Sequence, residues 1–304
     1  MGNIIFGPLL SRRFGKSLGI DLSPHKKQCN FDCLYCELKP AKTVDKYDDV
    51  ISVESIMSAL QDALAQHKDI DVITVTANGE PTLYPYLDEL IDRIDAIKGD
   101  KTTLILSNGS TIVDPDVRKA LAKFDMVKLS LDCATDKCLK KLDRAHKGIN
   151  VADIMQGMLD FKKIYHKPLI VEVLLVKSIN DTPEHIEVLN KFLTTLNPTR
   201  VDIGTIDRPP AYKVEPLSSA DLLEVASHFD TSLPVYIVHR KSSEIRAGSY
   251  SNDEILATIA NRPLSEDDIN ILFDEQSKDR LKILLENKKV KIFKIYGVTF
   301  YILA

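Results

Sequence analysis

The chain predicts an α/β fold in which six parallel βα units precede a small second module, and three observations lead there. From Leu18 to about Val238, short apolar runs alternate with amphipathic segments of helical period. Polar turns with Gly, Asn or Asp repeatedly follow the carboxyl ends of the apolar runs. Beyond Asn252 the alternation stops, and three short helical stretches lead into a hairpin pattern.

The strand candidates are Leu18 to Leu22, Val72 to Ala77, Thr103 to Ser107, Met126 to Leu131, Leu169 to Val176 and Val201 to Ile206. The helix candidates between them are Val53 to His67, Tyr86 to Ile97, Pro115 to Lys123, Val151 to Tyr165, Pro183 to Leu196 and Ser218 to Phe229. Periodicity does not separate an open doubly wound sheet from a barrel, because both are built from right-handed βα units. In either, chemistry belongs at the carboxyl ends of the strands.

The 304 residues, 44% apolar and 28% charged, provide for one large core and one small one. A formal net charge of −4 gives no global nucleic-acid footprint and leaves room for a local basic patch. The sequence has neither an apolar run of about 18 residues nor a charged flank followed by an apolar signal core. The expectation is a cytoplasmic, reducing location with no membrane partner, in keeping with an odd number of cysteines.

Three of the five cysteines, Cys29, Cys33 and Cys36, stand in one short loop after the first strand candidate, and the next is Cys133. A [4Fe-4S] cluster normally takes four thiolates, so three leave one iron open for chemistry. Zinc competes for the loop, since His25 could complete a Cys3His tetrahedron, although zinc sites usually pair two Cys-x2-Cys knuckles. Cys133 and Cys138 read as buried, inert thiols. Five positions apart on a helix they would point about 140° from each other, which speaks against a local pair.

The run Cys29-Asn-Phe-Asp-Cys33-Leu-Tyr-Cys36 resembles the signature of the radical S-adenosylmethionine (SAM) superfamily. That resemblance implies a partial (β/α)6 TIM-like barrel, a [4Fe-4S] cluster on these cysteines, and a 5′-deoxyadenosyl radical formed when one electron splits SAM. It places Tyr35 near the adenine. Ala77-Asn78-Gly79-Glu80-Pro81-Thr82 resembles the family's Gly-Gly-Glu-Pro motif for the SAM amino group, with Asn78 in place of the first glycine. Gly79 permits close backbone approach, and Glu80 or neighbouring carbonyls could accept from the ammonium; the bland reading is a solvated turn.

After the third strand, Ser107-Asn108-Gly109 suits a ribose or a tight turn. Ser130 and Asp132 share a face at the end of the fourth, where Asp132 could bind sugar hydroxyls or cap the next helix. Ile203-Gly204 resembles the family's adenine-contacting strand, or marks a bulge. Substrate candidates at the rim are Arg12, Arg13, Lys177, Asn180 and Arg208. Arg12, Arg13 and Lys16 equally suit surface cations or a loop tying the barrel's edge.

Gly-Pro-x-x-Ser-Arg-Arg, Ser-Leu-Gly-Ile-Asp-Leu, Asn-Gly-Glu-Pro-Thr-Leu and a late Arg-Pro-Pro resemble a bacterial Fe-S oxidoreductase group related to tRNA 4-demethylwyosine synthases, over roughly residues 3 to 240. The archaeal synthase carries a second cluster on upstream cysteines that this chain lacks. The resemblance implies a modified RNA nucleoside as substrate and a low-potential electron donor of the flavodoxin or ferredoxin type. Activation of a partner protein by hydrogen abstraction is the enzymatic alternative, and an Fe-S or zinc DNA-binding regulator the non-enzymatic one.

Residues 1 to 238 form the expected catalytic core, 239 to 251 a polar linker, and 252 to 304 a module resembling a winged helix. Its expected parts are helices over Asp253 to Ala260, Ser265 to Phe273 and Ser277 to Asn287, capped by Ser265 and Ser277, then a hairpin around Tyr296-Gly297. The segment has eight Lys plus Arg against nine Asp plus Glu, yet Lys282, Lys288, Lys289, Lys291 and Lys294 gather at its end. Nucleic-acid binding and protein docking both stay open there.

Overall fold

Eight strands lie side by side in chain order: β1 (Ile5–Ser11), β2 (Gly15–Asp21), β3 (Val72–Thr76), β4 (Thr102–Ser107), β5 (Met126–Ser130), β6 (Leu169–Leu175), β7 (Arg200–Thr205) and β8 (Val235–Ile237). This is a computed structural model describing residues 3–11, 14–237, 247–261, 263–295 and 298–304. Strands β2 to β8 are parallel, and β1 pairs antiparallel with β2 at one edge. Their registers align the carboxyl ends on one rim, from Asp21 beside Thr76 to Leu175 beside Thr205.

Helices α1 (Val53–Gln66), α2 (Leu87–Ile97), α3 (Pro115–Lys123), α4 (Asp136–Leu142), α5 (Val151–Ile164), α6 (Pro183–Leu196) and α7 (Ser219–Ser227) fill the crossovers. Most start where a short polar side chain caps free amides. Ser52, Asp114, Thr135, Asn150, Thr182 and Ser218 each accept a backbone N–H, a contribution of about 1 kcal/mol apiece. Pro115 and Pro183 open their helices where no intrahelical donor is needed. One core joins the strands' outward residues, such as Ile20, Val75 and Val173, to Leu60, Ile91 and Leu189 from the helices.

The six expected strands and crossover helices are present within a residue or a few of their expected ends. Edge strands β1 and β8 and the short helix α4 went unread, because each is too short or irregular to show a period. Arg12 and Arg13 lie outside the described residues. Lys16 sits at the amino end of β2, opposite the rim, where its ammonium pairs with Asp69 at 2.5 Å.

Cys133 and Cys138 form a disulfide with Cα atoms 5.4 Å apart, contrary to the reading of two separate thiols. That reading put both on one helix. Cys133 instead precedes the Thr135 cap, and only Cys138 lies in the first turn of α4.

The C-terminal residues fold as α8 (Asn252–Asn261), β9 (Leu264–Ser265), α9 (Glu266–Leu272), α10 (Glu275–Glu286), β10 (Val290–Ile295) and β11 (Val298–Leu303), with an antiparallel sheet ordered β10-β11-β9. Their core, built on Ile255, Leu264, Phe273 and Leu281, is separate from the first. Ser265 caps α9 as expected, through a reciprocal box with Asp268. Asp274 caps α10, displacing Ser277, whose hydroxyl instead donates to Asp274 at 2.7 Å and accepts from the Tyr250 amide. The expected linker therefore ends early: Gly248 bridges Phe273, and Tyr250 belongs to this core. Residues 238–246 and the Tyr296-Gly297 turn lie outside the described residues.

Candidate active site

The segment leaving β2 is fastened to the turn leaving β3. Asp21 accepts the Ser23 and Asn78 amides, both at 2.8 Å. Gln28 then pairs with Gly79 as a short parallel bridge, with Gln28 N–H on Asn78 O at 2.9 Å and Glu80 N–H on Gln28 O at 3.0 Å. Gly79 has φ +152°, and a Cβ there would lie 1.8 Å from the Gln28 carbonyl oxygen, so glycine is required by the contact itself.

The cysteine loop follows this bridge and is held on three sides. Asn30 donates to Ser110 at 2.6 Å and accepts from Asn108 at 2.9 Å. The Asp32 and Leu34 amides bond to Asp143 and Leu142 at the end of α4, and Ala211 N–H bonds to Cys36 O at 2.8 Å. The Cys29 sulfur accepts from Phe31 N–H at 3.3 Å and from the Asn108 amide at 3.7 Å.

All three thiols are free. Burial pushes each one up, Cys29 to about 12, and nearby carboxylates add to it: Glu80 at Cys29, Asp143 at Cys33 and Glu37 at Cys36. Such sulfurs favour the thiolate only when a positive centre arrives. Among the described residues no three His, Cys, Asp or Glu side chains converge on a point for a single ion. His25, the would-be fourth zinc ligand, is 3.0 Å from Asp49 instead. The donor set fits a cluster that spreads its thiolates over several irons, with one iron lacking protein sulfur.

Residues 206–217, between β7 and α7, cross the mouth beside this loop. Arg208 donates to Glu37 at 2.8 Å, and the Tyr212 hydroxyl donates to Asp32. Arg144 lies 4.8 Å from the Tyr212 ring centre and 3.5 Å from Asp32. Lys27 reaches Asp32 at 2.9 Å. Burial pushes the Asp32 carboxyl up, but the bonds from Tyr212 and Lys27 outweigh it and hold it below the usual range.

Several expected ligand contacts are taken up internally. The Glu80 carboxylate is buried and accepts from Thr82 N–H at 3.0 Å, Thr82 hydroxyl at 2.6 Å, Ser107 hydroxyl at 2.7 Å and Asn108 N–H at 2.7 Å. It shapes two turns, with Oε1 taking three of these bonds and Oε2 one; Pro81 starts the single 3₁₀ turn that follows. Ser107 is likewise spent on Glu80 and Gly109, while Asn108 faces the cysteine loop.

Asp132 caps nothing, since Thr135 does that. Its oxygens accept from the Tyr35 hydroxyl and, at 2.7 Å, from Leu174 N–H; burial raises its pKa to about 7 against these bonds. Tyr35, Phe31, Asn108, Ser130, Asp132 and Leu139 line a cavity of about 310 Å³, open mouth included.

The Ile203 side chain is fully buried in the core, and Gly204 beside it is half-buried near the carboxyl end of β7. Asn180 is completely buried: it accepts from Val176 N–H and donates to Asp132 O and Leu174 O at 2.8 and 2.9 Å, and so braces the β6 exit. Lys177 is exposed at the rim, with its backbone N–H bonded to Glu215 O.

Sequence reasoning missed Lys27, Asp32, Arg144, Tyr212 and Asp143. A charged pair at the cysteine motif, Lys27 just before it and Asp32 within it, was the one local signal that could have found them.

Residues 23–193 match the family model described as Radical SAM superfamily. A Helicobacter pylori UPF0026 protein is 45% identical over 303 residues, covering 98% of this chain and 97% of that one. Streptococcus suis SuiB bound to S-adenosylmethionine is similar in fold, at TM-score 0.56, 18% identity and 76% coverage of this chain; the chain spans about half of SuiB, 53%. A radical SAM methyltransferase from Sphaerobacter thermophilus has TM-score 0.58 at 14% identity, covering 73% of this chain and 65% of that one. The chain belongs to the radical SAM superfamily and is an enzyme that uses a [4Fe-4S] cluster and SAM to generate a 5′-deoxyadenosyl radical.

Proposed function

We propose that Cys29, Cys33 and Cys36 hold the cluster, that SAM lies along the Asn78–Pro81 turn, Asn108, Ser130, Asp132 and Gly204 beside Tyr35, and that the substrate is a nucleoside in RNA. The observation that carries the site is the Gln28–Gly79 bridge, which joins the cysteine loop to the neighbouring strand's turn. The cluster and SAM supply the radical; the chain binds, orients and excludes water. Backbone carbonyls around Gly79 suit the SAM amino group, and Ser130 with Asp132 suit ribose hydroxyls.

The RNA reading is supported by charge segregation in the C-terminal residues. Lys288, Lys289, Lys291 and Lys294 are all exposed around β10, while Glu266 and Asp267 sit at the far helix. Helix, strand, two helices and a hairpin match a winged-helix order, with this basic edge where phosphates would run. A partner-protein substrate has its own support: edge strand β10 exposes Ile292 and Phe293 beside unpaired backbone. Catalytic core, short linker and C-terminal module then divide the work near residue 247. Among the described residues no helix is long and apolar enough to cross a membrane. A cytoplasmic setting with a flavodoxin- or ferredoxin-type donor suits this chemistry.

The test is anaerobic reconstitution with iron and sulfide, reduction with dithionite, and mass spectrometry for 5′-deoxyadenosine with and without bulk tRNA. Stimulation by tRNA, with a changed nucleoside in its digest, supports the reading. Stimulation by protein extract alone sinks the RNA half, and zinc with intact SAM sinks the cluster assignment.

A further inference from the structure

We infer that the buried Lys27 ammonium, held by Asp32 two residues before Cys29, sets the reduction potential of the cluster by stabilising its reduced state. This rests on the assignment of Cys36 as a cluster ligand.

Lys27 stands two residues before Cys29, and its side chain is 9% exposed, that of Asp32 7%. The ammonium lies 2.9 Å from Asp32 Oδ1, and its positive charge pulls the Cys29 and Cys36 thiols down against their burial. Asp32 has little freedom to turn away. Its Oδ1 also accepts from Ala41 N–H at 3.3 Å, its Oδ2 from Tyr212, and Arg144 stands 3.5 Å off. Residues from three parts of the chain thus fix one carboxylate, and that carboxylate fixes the lysine beside the cysteine loop.

An ion pair withdrawn from water is a poor way to stabilise a loop, because apolar residues of similar size serve as well or better. The pair is intelligible if its cation has a third partner. When the cluster accepts one electron from a low-potential donor, its negative charge rises by one and no proton need move, since lysine stays protonated. Hydrogen bonds to cluster sulfurs, nearby charge and low solvent exposure are the levers that set such potentials. A buried cation beside the cysteine loop favours the added electron. The Asp32 carboxylate carries the opposite charge and opposes it, so the two residues act with opposite signs.

The test uses full-length wild type, Lys27→Gln, Lys27→Arg and Asp32→Asn, reconstituted anaerobically, with iron counts and EPR-monitored redox titration without SAM. For Lys27→Gln the reduction equilibrium should move at least tenfold against the reduced state, about 59 mV more negative for one electron. Lys27→Arg should restore most of that shift, and Asp32→Asn should move the potential the other way. Lys27→Gln with full iron and an unshifted potential overturns the proposal, as do shifts of the same sign in Lys27→Gln and Asp32→Asn. If Lys27→Gln does not retain iron, Asp32→Asn decides alone: a positive shift supports the proposal, and none overturns it. Wild type lacking four irons and a reduced-cluster signal would instead defeat the ligand assignment.

Discussion

Glu80 and Ser107 are joined by a 2.7 Å hydrogen bond that locks the turn after β3 to the turn after β4. Both turns border the proposed SAM site, and this carboxylate braces one against the other. In Glu80→Gln one oxygen is retained for Thr82 and Ser107, but an NH2 group then faces Asn108 N–H, donor against donor. The cost expected for one buried amide left without an acceptor is about 1–3 kcal/mol. Urea unfolding should show that loss and calorimetry a weaker SAM affinity; unchanged values in both would mean that the brace is dispensable.

Cys33 lies in the middle of the loop, with its carbonyl accepting Cys36 N–H at 3.1 Å. Cys33→Ala keeps that backbone bond and removes only the sulfur. The variant should keep wild-type circular dichroism, hold far less iron after reconstitution and yield no 5′-deoxyadenosine above background. Cleavage of SAM at the wild-type rate would refute the ligand assignment.

What was legible in the sequence was local. Cysteine spacing, the Gly79 turn and the strand periods each lie within a few residues, and local sterics and burial decide them. The internal bonds of Glu80 and Asn180 were not legible: polar residues at strand ends look ligand-facing, yet buried backbone amides there claim the same side chains. Ile203 was named through a resemblance of its strand, which does not say which face its side chain takes. The Asp32 cluster was out of reach because Tyr212 arrives from 180 positions away and Arg144 from 112, and no period records such a meeting.

The Cys133–Cys138 bond ties the residue after Asp132 to the first turn of α4, whose far end supports the cysteine loop. Closing so short a loop removes about 2 kcal/mol of unfolded-state freedom in the chain-entropy picture. Alkylation without reductant, followed by peptide mapping, should find Cys133 linked to Cys138 and the other three cysteines modified. Cys133→Ala with Cys138→Ala should lower stability by about that amount. Full alkylation of all five cysteines in oxidised protein would contradict the bond.

Asp125 gives the pH test, away from the cluster. It joins the end of α3 to β4, accepting from Thr103 N–H at 3.0 Å, Thr103 hydroxyl at 3.1 Å and the Lys98 ammonium. Burial raises its pKa, but Lys98 and Thr103 together overcome that and hold the folded carboxyl below its ordinary value. The folded state therefore binds fewer protons here than the unfolded chain. Its contribution is complete above the unfolded pKa of about 4 and fades as pH falls through the folded one. Asp125→Asn should cost about 1–3 kcal/mol at pH 7, because the charge-assisted bond to Lys98 is lost. Urea unfolding of wild type and variant from pH 7 to pH 3 should show the gap constant to about pH 5 and closing below it. A gap that widens towards acid would mean that Asp125 is protonated in the folded protein, with burial outweighing Lys98.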